Sequence, residues 1–234
     1  MDSSSPPIPI PANRTELLVS LRHLLRGLTA LFWGLPLALL VCVQTAATGW
    51  LRALGPVPSV IATGLLLFGV LEITRFRRGE SVWQRTLDRA KIFALLNFGL
   101  SPFAYFCNRF PSEIYYRQMV WIMAFAGVLF VFNLNRALKY LAAMLPDQVL
   151  REDTELFTTL NLGLMISLVM LVAGYFTLQE IDQLPVLVIT ILEAIDDHRR
   201  WLVIFFVVMP VAMTMSLLWK IKEIVLTGIF GSAA

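Results

Sequence analysis

Charge is what this sequence has least of. Only 15% of its 234 residues are Asp, Glu, Lys or Arg, against about 25% in a soluble domain. Cysteine and histidine are scarce as well, with two of each. Cys42 and Cys107 make neither a disulfide framework nor a CxxC pair. The sequence has no HExxH, GxSxG or P-loop signature. A net charge of +3, with no recognition module, excludes nucleic acid as a partner. Catalytic residues, cofactor-binding residues and metal ligands are therefore expected to be absent, and no cofactor is predicted.

What is present is apolar surface. Hydrophobic residues make up 58% of the chain, gathered into nearly charge-free blocks of about twenty residues. At 1.5 Å per helical residue, each block crosses a hydrocarbon core of about 30 Å. The expected fold class is all-α: a polytopic transmembrane bundle with spans at 28–48, 57–74, 91–108, 118–136, 156–178 and 201–219. Residues 1–13 form a polar, Pro-rich tail, and 14–234 one membrane domain. No cleavable signal is expected, because the first apolar block is longer than a signal-peptide core.

Four prolines keep "SSSPPIPIP" from being helical. Asn13 with Glu16 then reads as a helix start. Leu17, Leu18, Leu21, Leu24, Leu25 and Leu28 share one face of an amphipathic lead-in suited to the membrane surface. Ser81 with Gln84 forms a capping box ahead of span three, and Asp153 or Thr154 is placed to cap span five. Span four is expected to run on through "RALKYLAAML". Val186–Leu192 is too short to cross and reads as a short outer helix, interfacial or re-entrant. Pro36, Pro102 and Pro210 fall inside spans one, three and six, where neighbours must serve the carbonyls they free.

Six basic residues lie between Glu72 and Lys91: Arg75, Arg77, Arg78, Arg85, Arg89 and Lys91. With the N-terminus inside, fourteen of the 19 Lys and Arg fall on the inner side. Five fall outside: Arg52, Arg109, Arg117, Arg199 and Arg200. The positive-inside rule selects this orientation, with both termini cytoplasmic and the protein in a plasma (inner) membrane. The basic run is a topology determinant first and a contact for anionic lipid headgroups second. Trp50, Trp121 and Trp201 at outer ends, with Trp83 and Trp219 at inner ends, read as an aromatic belt.

Few residues in or beside the spans could carry chemistry. Glu72 is the one carboxylate inside a span, and Arg75 at i+3 reads as its partner. Gln44, Thr63, Asn97, Asn133, Asn161 and Ser167 are uncharged and polar, and helix-to-helix hydrogen bonding is their ordinary use. Asn97 stands out because Gly99 and Pro102 weaken its helix, as at broken-helix substrate sites. Asp196, Asp197 and His198 resemble an acid–base or metal cluster. The other histidine, His23, lies across the membrane, so a charged turn explains them adequately.

Two functions fit these observations. The first is a non-catalytic accessory or scaffold subunit of a larger membrane protein complex, docking through the tail, the leucine face and the extension of span four. The second is a transport permease working with a separate ATPase, an analogy of layout to exporter-type permeases.

Overall fold

A computed structural model describes residues 12–48, 51–76, 81–144, 148–179 and 186–230. Among them there are six long helices and no strand. They are α1 (Ala12–Ala47), α2 (Val57–Thr74), α3 (Ser81–Arg109), α4 (Ile114–Ala143), α5 (Gln148–Gln179) and α6 (Val186–Phe230). A single 3₁₀ turn, Arg52–Leu54, joins α1 to α2. All six are long and apolar enough to cross a membrane. The chain is a six-span helical membrane protein.

Several boundaries match the sequence. Helix α2 occupies 57–74 as expected, starting behind Pro56 and with a proline in its first turn. Helix α3 starts at Ser81, close to the start expected for it. Helix α4 continues beyond its apolar block to Ala143.

Other features differ. The lead-in is not a separate surface helix, because α1 runs unbroken from Ala12 to Ala47. Asn13 therefore sits inside the helix, and the tail 1–11 lies outside the described residues. The C-terminal part of the leucine face points inward: Leu24 and Leu28 are buried and continue into Leu31 and Leu35, Leu21 and Leu25 are half-buried against them, and the side chains of 17 and 18 lie outside the described residues. Burial in the bundle takes the place of the bilayer surface. The short outer helix likewise merges with the last span, since α6 is one helix of 45 residues. Helix α5 begins at Gln148, so Asp153 and Thr154 do not cap it. Asp153 instead pairs with Lys220 of α6 (2.5 Å), and Glu155 with Lys139 of α4 (2.8 Å).

The hydrophobic core is concentrated toward one end of the bundle, where α1 starts and α6 ends. It joins Leu24–Leu35, Val70–Phe76, Trp83–Ala94, Phe130–Ala142 and Leu217–Val225. Trp83 belongs to this core, edge-to-face with Phe76 at 5.9 Å, and not to an interfacial belt. Leu134, Leu138, Leu141 and Ala142 are buried as well, so the extension of α4 packs inside the molecule.

Helix α1 packs on α2, α2 on α3 and α3 on α4; α6 then closes against α1, α4 and α5. Helix α5 is the least enclosed. Among its described side chains only Thr154, Asn161 and Met165 are buried, whereas Met170 is 70% exposed.

Candidate functional site

The polar side chains of the spans collect into clasps between helices. The first lies at the end of the bundle where α1 starts. Glu72 is only 4% exposed, on the last turn of α2. One carboxylate oxygen meets His23 Nδ1 of α1 at 2.6 Å, and the other accepts from Arg75 Nη1 at 3.2 Å. The Arg75 pair follows from i, i+3 spacing. The His23 contact spans 49 positions and follows only from α1 crossing α2 at this level. A buried carboxylate with two polar partners is stably held, so the group ties α1 to α2.

At the other end Asn108 performs a similar task. Its side-chain amide donates to the carbonyls of Thr45 and Thr48, at the C-terminus of α1. Those carbonyls would otherwise lack intrahelical donors. Arg52 donates in turn to the Asn108 side-chain oxygen (3.2 Å) and backbone carbonyl (3.1 Å). Nothing local in the sequence marks Asn108, whose partner Thr45 stands more than sixty positions away.

The carbonyl freed by Pro102 is served locally. Pro102 removes the N–H that would bond the Phe98 carbonyl, and the hydroxyl of Ser101 donates to that oxygen at 2.8 Å. Ser59 of α2 reaches the Ser101 carbonyl at 3.0 Å, linking α2 to α3. Asn97, singled out by sequence, donates to Phe93 of its own helix at 2.8 Å. Its oxygen faces Gly127 of α4, 3.6 Å from where a Cβ would stand there. Asn133 also bonds back within its helix, to Leu129 (2.7 Å).

A third group joins α4, α5 and α6. Asn135 donates to Thr214 Oγ1 at 2.9 Å, and Asn161 approaches the same oxygen at 3.3 Å. The sequence reading named Asn161 but neither partner. The signal was Thr214 standing four residues after Pro210, spaced to bond back to its carbonyl (2.7 Å).

The charged segment near residue 197 lies on the unbroken α6, with Asp197 and His198 exposed. The side chain of Asp196 is outside the described residues. Glu72 and Asn97 lie on different helices and have the separate partners named above, and the 196–198 segment lies on a third helix. Of the basic run, Arg75, Arg85 and Arg89 are exposed and Lys91 is half-buried, while 77 and 78 lie outside the described residues. No group of three or more His, Cys, Asp or Glu that could hold a metal occurs among the described residues.

These clasps and six apolar helices define a multi-pass integral membrane protein. Comparison with protein-family models, with curated proteins and with solved structures gives no significant match.

Proposed function

We propose that the protein is a non-catalytic integral subunit, accessory or scaffold, of a larger membrane assembly. The observation that carries this reading is the open face of α5. Thr159, Gly163 and Ser167 follow at four-residue spacing and are all exposed, flanked by exposed Leu160, Ile166 and Met170. Small residues in a row let a second helix backbone approach closely within lipid. The leucine face and the α4 extension are buried in the bundle, so α5 replaces them as the docking surface of this proposal. The Pro-rich tail remains a second candidate contact. The fourteen-to-five distribution of basic residues supports a plasma (inner) membrane with both termini cytoplasmic and anionic lipid at that face.

The test is purification from native membranes in mild detergent, followed by mass spectrometry. The full chain, a Gly163→Leu variant and a chain lacking residues 2–12 are compared. Partner recovery should fall with Gly163→Leu while the bundle stays inserted. Equal recovery at equal stoichiometry from all three would remove the subunit reading.

The permease reading is favoured by one observation, the buried polar group of Asn135, Asn161 and Thr214 beside Pro210, since polar side chains facing the interior of a membrane bundle can mark a substrate path. A stoichiometric ATPase among the recovered proteins would decide for it.

A further inference from the structure

Three polar side chains from three helices meet where α6 carries its proline. Asn135 and Asn161 are each 2% exposed, and Thr214 is fully buried. The Thr214 hydroxyl donates its one proton to the Pro210 carbonyl. Its oxygen accepts from the Asn135 amide, and the Asn161 amide lies 3.3 Å from it and 3.5 Å from the Pro210 carbonyl. Two atoms are left over. The side-chain oxygens of Asn135 and Asn161 are both buried and have no hydrogen-bond partner among the described residues. Exchanging oxygen and nitrogen in either amide does not cure this. It turns a carbonyl toward a hydroxyl whose proton is already committed, and strands the N–H₂ instead. Pro210 also withholds the N–H that would serve the Phe206 carbonyl, one turn earlier.

The seam therefore lacks donors rather than acceptors. Within a bilayer there is no bulk water to supply them. A cation is the wrong occupant, because it needs a shell of free oxygen lone pairs. Here the Thr214 and Pro210 oxygens already accept from side-chain donors, which leaves two free oxygens and not a shell. A water molecule carries two donors, matching the two stranded oxygens, and buried waters make about three hydrogen bonds. The second hydrogen of the Asn135 amide, whose first goes to Thr214, provides the third.

We propose that the α4–α5–α6 seam is a binding site for a single water molecule, which donates to Asn135 Oδ1 and Asn161 Oδ1 and locks α5 to the bundle. The lock matters because α5 buries so little else: Thr154 and Met165 are its other enclosed side chains among those described. This inference is independent of whether α5 also meets a partner.

The decisive measurement is an experimental structure of the full-length wild-type protein, at a resolution that shows ordered waters. The expected result is one peak within about 2.7–3.0 Å of both amide oxygens. A seam without density, beside other resolved waters, would overturn the proposal. So would a melting temperature that shifts when Na⁺ is replaced by K⁺ or choline at constant ionic strength, which would identify a cation. In an Asn161→Leu variant, hydrogen exchange should rise in residues 154–170 and stay unchanged in α1 to α3. Unaltered exchange in α5 would show that the water, if present, locks nothing.

Discussion

Gly27 of α1 lies so close to Gly69 of α2 that a methyl group on Gly27 would come within 2.7 Å of the Gly69 carbonyl oxygen. It would also come within 2.5 Å of Ile73 Cγ1. In the other direction, a methyl group on Gly69 would meet Leu31 Cγ at 2.8 Å. Backbone atoms cannot yield as a side-chain tip can, so the two helices must separate to admit either methyl. Gly27→Ala should therefore cost about 1–3 kcal/mol, the usual penalty of overpacking, read as a lower melting temperature in detergent. Gly99→Ala is the control. A methyl there meets nothing within 4 Å, and the helix gains up to about 1 kcal/mol from alanine. Equal effects at both positions would contradict the close α1–α2 packing.

The clasp on Glu72 should show an order of importance set by burial. Removing His23 (His23→Leu) strands one oxygen of a buried carboxylate and should cost of the order of 1–3 kcal/mol. Removing Arg75 (Arg75→Ala) should cost less than about 1 kcal/mol, because its side chain is 64% exposed and screened by solvent. Thermal unfolding of the two variants tests the order, and a reversed ranking would count against it.

At the far end, Asn108→Leu should free the last carbonyls of α1. About 1–2 kcal/mol of stability should be lost with the hydrogen bonds. The specific sign is faster amide exchange at residues 45–48 with no change near Gly27. Uniform acceleration along α1 would instead mean general loosening of the bundle.

Orientation can be tested with single cysteines in a chain lacking Cys42 and Cys107. An impermeant maleimide should label Ser112→Cys from outside intact cells, and Glu80→Cys only after permeabilisation. Labelling of Glu80→Cys in intact cells would overturn the proposed topology.

The spans were legible because hydrophobic block length is a strong signal, as the agreement at Val57–Thr74 illustrates. Helix ends were less so. The reading broke α1 near Arg22, His23 and Arg26, and α6 near Asp196–Arg200, where hydrophobicity falls. Backbone hydrogen bonding does not depend on hydrophobicity, so a helix can leave the bilayer and continue. Polar contacts divided along the same line. Glu72 with Arg75 follows from three-residue spacing, whereas His23 with Glu72, Asn108 with Thr45 and Asn135 with Thr214 are 49, 63 and 79 positions apart. Such pairs exist only once helices have chosen neighbours, and one sequence does not carry that choice.

The lengths of the helices differ more than a bilayer allows. Helix α2 has 18 residues, about 27 Å of rise, while α6 has 45, about 67 Å. A long helix can tilt or project into water, but a short one has no such freedom. Helix α2 is fixed at both ends, by the Pro56 turn and by Glu72 in its clasp. Any bilayer thicker than its apolar length has to thin around it, at a cost that grows with each ångström of mismatch. The shortest helix thus sets the apolar length that the lipid beside it has to match.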